Sequence, residues 1–327
     1  MVESKDVYIL KIESLDRLEE SIKEVMELTG FKAKGTIVIK PNICMPKYRA
    51  GAVTRPELIA SVVAYIRDTA DDVIVGESDG YNYSCNKAFR ETGIEKAVKN
   101  AGGRILNFSD DKLVRVHLRN SKVKWLILPK TLLKADALID MPVMKTHEFT
   151  QYSGAIKNLF GLIPYDRRII LHPYLNDVLL SLLTYFKPAL TIMDAITAME
   201  GNGPTKGHPV KLNLILASKC ALALDITATR IMGMSWRLID HLRYIAEKLK
   251  LDENRIKVFG YDVKGSQYRF APPQMDFAVK MQHIVFKHEL WTKILFYNKD
   301  FVKLCQKILN QYRRLRSSTR ELLYKPQ

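Results

Sequence analysis

The sequence predicts an α/β fold with an open, mainly parallel sheet and helices on both faces. Strand-like and helix-like segments alternate: a short β-type run, Val7–Leu10, precedes a helical pattern that Ser14 begins and Gly30 ends. The β-branched run after Gly35 is typical of a strand buried on both faces. Such alternation is a property of parallel sheets whose strands are joined by helices. The 327 residues, 47% of them hydrophobic, supply an ample core.

The later segments continue the same pattern. Pro56 is a good first-turn residue and starts a helix whose apolar residues follow helical spacing. Two β-type runs around Asn120-Ser121 predict a hairpin. The remaining predicted strands are 73–75, 104–108, 137–140, 190–193 (ending at Asp194), 212–217 and 256–259, and the remaining predicted helices are 91–100 and 221–232.

The C-terminal residues differ from this pattern, so we expect an α/β domain over residues 1–265, which can form two lobes, and a basic helical extension over 266–327. Phe270–Pro273 is typical of a linker, and amphipathic helices are predicted beyond it. The chain carries +16, and residues 287–327 hold 10 basic and 3 acidic residues, 10 − 3 = +7. This charge favours nucleic acid or an anionic membrane as partners of 287–327. It is equally consistent with a solvated basic surface.

Cysteine usage and the polar N-terminus predict a cytoplasmic protein. The four cysteines, Cys44, Cys85, Cys220 and Cys305, are far apart, and no C-x-x-C occurs, so they do not support a local iron–sulfur cluster. No apolar run approaches the ~18–20 residues of a membrane-spanning helix, so we expect no transmembrane segment. The start MVESKDVYIL does not resemble a secretory signal.

Polar or glycine-rich segments follow several predicted strands. Ligands of open α/β sheets bind at the carboxyl ends of strands. The sequence therefore predicts one composite site, built from Lys40–Asn42, Gly76–Gly80, Asp140–His147, and Asp194 with Glu200–Gly207.

Residues 134–161 supply the groups suited to an anionic ligand. Lys145, His147 and Lys157 are the candidate catalytic residues, since lysines bind anions and histidine can transfer protons. Ser153-Gly154 can open a helix whose free N–H groups bind an anion. A lone histidine is more often structural. The candidate anion-binding or substrate-binding residues are Lys40, Asn42, Ser78, Thr146, Thr150, Ser153, Asn158, Gly201, Asn202 and Gly203.

Four carboxylates on the predicted strand-end loops suit a divalent metal or acid–base work: Glu77, Asp79, Asp194 and Glu200. The competing interpretation is that they cap helices and satisfy loop amides. The glycine loop 201–207 is neither a P-loop nor a dinucleotide-binding G-x-G-x-x-G. No G-x-S-x-G or H-E-x-x-H motif supports a hydrolase or a zinc protease.

Six ordered motifs between about residues 35 and 235 resemble the domain-of-unknown-function 362 family. They are Ile39–Asn42, Thr54–Glu57, Gly76–Ser78, Lys134–His147, Ser153–Gly161 and Asp194–Pro204. The resemblance implies an α/β domain. Many members carry a ferredoxin-like cluster domain, whose cysteines this chain lacks. The lysine, glycine and proline layout at 157–164 is distantly similar to the N-terminal part of nickel-pincer lactate racemase, although its paired histidines are not visible here.

Three functions remain open from the sequence. The first is an enzyme acting on a small anionic or phosphorylated metabolite, with or without a divalent metal. The second is binding of nucleic acid or an anionic membrane through the basic tail, whose aromatics are Trp291, Phe296, Tyr297 and Phe301. The third is a redox-partner role like that of cluster-bearing relatives.

Overall fold

A ten-stranded mixed sheet forms the centre of the fold, and a hairpin forms a second, two-stranded sheet. The computed structural model describes residues 4–80, 83–118, 121–164, 168–263, 265–274 and 277–297. The strands in chain order are β1 (Asp6–Lys11), β2 (Thr36–Pro41), β3 (Asp72–Glu77), β4 (Arg104–Asn107), β5 (Leu113–His117), β6 (Trp125–Pro129), β7 (Ala137–Met141), β8 (Val143–His147), β9 (Gln151–Ser153), β10 (Leu190–Glu200), β11 (His208–Ser218) and β12 (Lys257–Phe259).

The strand order of the large sheet is β12-β1-β11-β10-β7-β2-β3-β4, with β8 paired to β10 and β9 to β8. Six of its nine pairs among the described residues are parallel. The antiparallel pairs are β1 with β11, β10 with β11, and β8 with β9. This confirms the predicted mainly parallel sheet. The predicted hairpin is also confirmed, as β5 with β6.

Helices lie on both faces of the sheet, as predicted. Within β2, Ile37 and Ile39 join a core cluster with residues of the first two helices, whereas Val38 is equally buried and points to the opposite face. The helices are α1 (Leu18–Thr29), α2 (Pro56–Ile66), α3 (Cys85–Glu91), α4 (Ile94–Asn100), α5 (Lys130–Lys134), α6 (Ala155–Asn158), α7 (Leu175–Phe186), α8 (Ala221–Ile231), α9 (Asp240–Lys248), α10 (Phe277–Lys287) and α11 (Glu289–Tyr297). Helix α2 contacts both α1 and α4, and α6 to α9 form a second group.

Two predicted elements have different bounds in the structure. The helix predicted over 91–100 corresponds to α4, which starts only at Ile94 because Gly93 has φ +80°, a conformation that a helix cannot continue through. The preceding helix α3, which ends at Glu91, was not predicted. The strand predicted to end at Asp194 continues to Glu200. It continues because residues 191–200 pair with β11 along their length, so 201–207 is the connection of a long hairpin.

The chain divides into two compact units. The first comprises 1–168 and 174–274, and the second comprises 169–173 and 275–327. In the described part of the second unit, α10 and α11 form the predicted C-terminal helices, and residues 298–327 lie outside the described residues. Residues 271–274 have no regular structure, as expected for a linker.

By length and composition, one described helical segment is apolar enough to cross a membrane: Ile169–Phe186, with 18 residues, 28% buried. The sequence prediction had no such run. The segment changes from a 3₁₀ turn to α7 at Tyr174, and α7 packs Leu175, Val178, Leu179 and Leu182 into the first unit. It therefore has the features of an amphipathic packed helix.

Candidate active site

A buried ion pair occupies the carboxyl ends of the neighbouring strands β2 and β3. The ammonium of Lys40 lies 2.6 Å from the Glu77 carboxylate, and both side chains are almost fully buried. Lys40 also donates to the Pro41 carbonyl and to Asn158 Oδ1. Ser78 follows the pair, where its amide donates to Glu77 and its hydroxyl to the Gly161 carbonyl. The predicted residues Lys40, Asn158 and Ser78 are therefore engaged within the protein, since Lys40 contacts Asn158 and Glu77, and Ser78 contacts Glu77 and Gly161.

Asn158 extends this network to a second buried carboxylate. Its Nδ2 donates to Asp140 Oδ1 at 2.8 Å. The other oxygen of Asp140 is buried and has no hydrogen-bond partner among the described residues. Burial raises the pKa of Asp140 well above its usual value, and the nearby charge of Lys40 opposes that shift. Asp140 is thus a buried acid at the end of β7 with one unsatisfied oxygen.

Lys145 is a buried cation whose hydrogen-bond partners are a backbone carbonyl and the sulfur of Cys44. It lies on β8, is 1% exposed, and donates to the Ala52 carbonyl at 2.9 Å. Its ammonium is 3.6 Å from the Cys44 sulfur, which also contacts the Ala52 carbonyl. Burial lowers the pKa of Lys145. Asn42 holds the same loop, because its amide side chain also donates to Ala52.

Lys157 lies on α6 and is half-buried. Its ammonium sits 4.7 Å from the centre of the Phe160 ring. Burial, and then the charges of Arg168, Lys145 and Lys40, lower the pKa of Lys157 to about 7. Arg168 donates to the Asp79 carbonyl. Among the described residues, this group of cations contains one ion pair within 4.0 Å, the pair of Lys40 with Glu77.

His241 is the second titratable group beside Lys157. It lies on α9, is 1% exposed, and its Nε2 has no partner among the described residues. Burial, and then the charge of Lys157, lower the pKa of His241 to about 3, so its ring is neutral at physiological pH. The neutral ring of His241 therefore adds no charge near Lys157.

His147 and its neighbours shape the turn between β8 and β9. The Nδ1 atom of His147 accepts the amides of Phe149 and Thr150, at 3.0 and 3.4 Å. The Thr150 hydroxyl donates to the Tyr152 carbonyl. One ring nitrogen of His147 therefore orders the turn. This is a structural role, which the sequence allowed beside a catalytic one.

The glycine loop closes against β8. The Thr146 hydroxyl donates to the Gly201 carbonyl at 2.8 Å. A Cβ atom on Gly203 would come within 2.0 Å of the Thr146 carbonyl oxygen. Asn202 is engaged elsewhere, since its side chain accepts the Gln274 amide. This close approach of loop to strand explains the glycines without a phosphate ligand.

The prediction that α6 offers free N–H groups to an anion is wrong. The amides of Ala155 and Ile156 donate to the two oxygens of Asp225, at 2.7 and 2.9 Å. The Tyr152 hydroxyl donates to the same carboxylate at 2.9 Å. Ser153 is buried and pairs with Lys145 across β8 and β9. A carboxylate of the protein therefore already occupies the helix N-terminus.

The four carboxylates proposed for a metal have separate partners. Asp79 accepts the Cys85 amide and the Asn107 side chain, and Asp194, which lies inside β10, accepts the amides of Arg55 and Ile196. Glu200 accepts the Ala271 amide, and Glu77 pairs with Lys40. Within the described ranges, no three His, Cys, Asp or Glu side chains are grouped to hold a metal ion. The interpretation that carboxylates satisfy backbone amides fits these contacts.

Gly161 allows the 3₁₀ turn after α6 to approach the buried ion pair. A Cβ atom there would lie 2.5 Å from Glu77 Oε1 and 2.8 Å from Lys40 Nζ. We expect Gly161→Ala to lower the free energy of unfolding by about 1–3 kcal/mol, as overpacking does in cores. Urea unfolding would measure this. Gly30→Ala is the reference, because its Cβ would meet nothing within 4 Å and only its φ of +59° is strained. Equal stability of Gly161→Ala and the native protein would contradict the expectation.

Sequence reasoning missed Cys44, Arg168, Asp225 and His241, and it placed Asp140 in the predicted site without giving it a role. Cys44 and Cys85 form no disulfide in the structure. Asp140 had a usable signal, since it ends a predicted strand inside the central motif. Asp225 and His241 lie on helices with no local sign of their long-range contacts.

The fold and the polar strand ends define an α/β protein with a buried, cation-rich site. The chain belongs to the family described as Domain of unknown function (DUF362), whose model matches residues 37–230. A curated relative is Thylakoid-associated protein sll1697 of Synechocystis sp. (strain ATCC 27184 / PCC 6803 / Kazusa). It is 28% identical over 253 residues, which cover 70% of this chain and 75% of the relative.

Solved structures with a similar arrangement are distant. Lactate racemase apoprotein from Thermoanaerobacterium thermosaccharolyticum has 12% identity and a TM-score of 0.45, covering 69% of this chain and 57% of the racemase. A Thermotoga maritima protein has 12% identity and a TM-score of 0.38, and the match covers 60% of this chain and 53% of the Thermotoga protein. The racemase is the enzyme to which the sequence suggested a distant similarity. At this level the similarity says nothing about activity.

Proposed function

We propose that the protein is an enzyme acting on a small anionic metabolite, a carboxylate or a phosphate ester, bound at the strand ends near Lys145 and Lys157. The observation that carries the proposal is the uncompensated positive charge there. The charges of Arg168, Lys145 and Lys40 act on Lys157, and among the described residues only Lys40 has a carboxylate within 4.0 Å. Lys145 and Arg168 donate to backbone carbonyls.

An anion is the ligand that this charge favours. Like charges in a partly dry site repel one another strongly, because screening by water is weak there. A bound carboxylate or phosphate would relieve that repulsion and accept charge-assisted hydrogen bonds. A divalent cation would add to the repulsion, so a metal bound next to Lys145 and Lys157 is not part of the proposal.

Lys157 is the proposed proton-transfer group. A catalytic acid or base works best when its pKa lies near the working pH, and burial lowers the pKa of Lys157 to about 7. Lys145 would hold the ligand, and Lys40 would hold the strand ends together through Glu77. The Nδ1 atom of His147 accepts backbone amides of the turn, so the role assigned to His147 here is to order that turn.

Binding of sulfate tests the anion site, because the charge of sulfate is constant between pH 6 and 8. We expect calorimetry to show binding to the native protein at pH 6 and its loss in Lys145→Met and in Lys157→Met. Lys23→Met is the matched control, since Lys23 is an exposed lysine on α1. If both site variants bound sulfate like the native protein, the proposed site would be wrong. A panel of carboxylates and phosphate esters would then identify the preferred class.

The affinity should fall as pH rises through the pKa of Lys157. Protonated Lys157 decreases from about nine-tenths to about one-tenth of molecules between pH 6 and 8. If only the cation binds, sulfate affinity should be about tenfold weaker at pH 8. Lys157→Arg keeps its charge, so its affinity should be nearly constant over this range. A pH-independent affinity of the native protein would remove Lys157 from the site.

The remaining predictions from the sequence stay proposals. We propose a cytoplasmic location because the four cysteines are far apart in the sequence and show no spacing typical of a disulfide framework. A redox-partner role would need a bound cluster, and the spacing of the cysteines gives it no support. Nucleic-acid binding through 287–327 rests on charge alone.

A further inference from the structure

The helices α10 and α11 expose a run of large apolar side chains. Leu290, Trp291 and Ile294 on α11 are 67%, 53% and 55% exposed, and Met281 and Ile284 on α10 are 43% and 52% exposed. These five fall within 14 residues, whereas the other exposed large apolar residues of the described chain are scattered between residues 15 and 259. Scattered ones need no explanation, but exposed apolar residues grouped on two helices that contact one another indicate an interaction surface.

The exposed side chains share a face on each helix. At 3.6 residues per turn, Met281 and Ile284 project from the side of α10 opposite to Val279 and Phe286, which are 2% and 3% exposed. The Phe286 ring stacks on His172, with ring centres 4.1 Å apart, within the second unit.

Helix α11 repeats this arrangement. Leu290 and Ile294, four residues apart, project opposite to Thr292, which is fully buried. Both helices therefore pack one face into their unit and leave an apolar face outside it.

Positive charge accompanies this apolar face. Residues 277–297 contain three lysines and one glutamate, 3 − 1 = +2, and the sequence from 298 to 327 contains 8 basic and 2 acidic residues, 8 − 2 = +6. The glutamate, Glu289, already pairs with Lys293. Exposed Leu, Ile and Trp beside lysines are the composition of helices that lie in the interface of an anionic bilayer. Tryptophan is enriched at that depth.

We propose that the apolar face of α10 and α11 (Met281, Ile284, Leu290, Trp291 and Ile294) binds the surface of an anionic membrane. Nucleic acid fits this face less well, because aliphatic side chains make no hydrogen bonds to bases or phosphates. A second copy of the chain is also less suited, since two copies at +16 repel one another. The inference is independent of the proposed anion site.

Flotation with vesicles tests this surface, using phosphatidylcholine alone and an equal mixture with phosphatidylglycerol. The native full-length protein should float with the anionic vesicles and remain free of the neutral ones. Leu290→Ser with Ile294→Ser should weaken binding by about tenfold or more, because apolar insertion supplies much of the affinity. The matched control is Leu238→Ser, since Leu238 is 71% exposed in the first unit. Circular dichroism would verify that each variant is folded.

A fluorescence measurement gives a second readout. With Trp125→Phe and Trp236→Phe, the remaining described tryptophan, Trp291, should shift its emission to shorter wavelength when anionic vesicles are added. Flotation that ignores lipid charge, or that Leu238→Ser weakens as much as the double variant, would overturn the proposal. Concentration-dependent dimerisation lost in the double variant without vesicle binding would instead assign the face to a second copy. Nucleic-acid retention lost in that variant, again without vesicle binding, would assign it to nucleic acid.

Discussion

Replacing Lys40 by methionine is expected to lower the free energy of unfolding by about 3–5 kcal/mol, as the loss of one partner of a buried ion pair does. The Glu77 carboxylate would remain buried, with the Ser78 amide as its remaining donor among the described residues. Asn158 Oδ1 and the Pro41 carbonyl would lose the same ammonium donor. Asp140 would lose the cation that opposes the rise of its pKa.

Lys99→Met is the matched control for this substitution. Lys99 and Glu95 approach to the same 2.6 Å, but their side chains are 59% and 21% exposed on α4. An exposed pair of this kind contributes about 0–1 kcal/mol, because water screens both charges. Urea unfolding of both variants would therefore separate the effect of burial from the effect of distance. If Lys40→Met lowered the free energy of unfolding as little as Lys99→Met does, the stabilising role of the buried Lys40–Glu77 pair would be wrong.

The double variant Lys40→Met with Glu77→Gln removes both charges. It should be more stable than the sum of the two single substitutions predicts, by about 1–3 kcal/mol, because no uncompensated charge is left buried. If the two single changes in unfolding free energy simply added, the charges of Lys40 and Glu77 would not stabilise one another. Sulfate binding in the double variant would show whether the pair only supports the proposed anion site.

Hydrophobic periodicity was sufficient to predict eight strands of the large sheet and helices α1, α2, α4 and α8. It missed the strands β8 and β9 and the helices α3, α7 and α9. The runs at β2 and β3 are short, β-branched and apolar on both faces, and a buried parallel strand is the structure that suits them. The extent of β10 was not predictable from its own residues. Its second half is a strand because β11 pairs with it across the 201–207 loop. The break at Gly93 was visible only as a glycine inside a helical pattern. Such a glycine can either be tolerated within a helix or end it.

The candidate site was predicted in location more than in chemistry. Parallel strands bring their carboxyl ends to one edge, so Lys40, Glu77 and Asp140 were expected to meet, and they do. Their pairing could not be predicted, because it depends on which side chains reach one another across the ends. The contact of Cys44 with Lys145 joins residues 101 positions apart. Sequence spacing carries no information about such contacts.

Asp225→Ala is expected to lower the free energy of unfolding by about 3 kcal/mol or more, because each buried donor left without a partner costs about 1–3 kcal/mol. Three donors depend on this carboxylate: the Ala155 and Ile156 amides and the Tyr152 hydroxyl. These contacts also fix α6, which carries Lys157. The same variant should therefore lose sulfate binding under conditions where it is still folded. Unfolding in urea and calorimetry with sulfate would measure the two effects.

The pH dependence of stability gives an independent test of the same carboxylate. Burial raises the pKa of Asp225 to about 6 in the folded protein, from an ordinary value of 3.8. Between these values the folded state binds a proton that the unfolded state does not. The contribution of Asp225 to stability therefore increases as pH falls from about 7 to about 4, by up to about 3 kcal/mol.

Asp225→Asn cannot take up this proton, so it isolates the effect. The unfolding free energy of the native protein minus that of Asp225→Asn should increase as pH is lowered from 7 to 4.5. Both proteins share every other titrating group, so the change reports on Asp225. Asp68→Asn is the control, because the Asp68 side chain is 82% exposed. A difference that stays constant with pH, or shrinks as pH falls, would mean that Asp225 is ionised at little cost. In that case the hydrogen bonds that Asp225 accepts at the start of α6 would fully offset the cost of burying its charge.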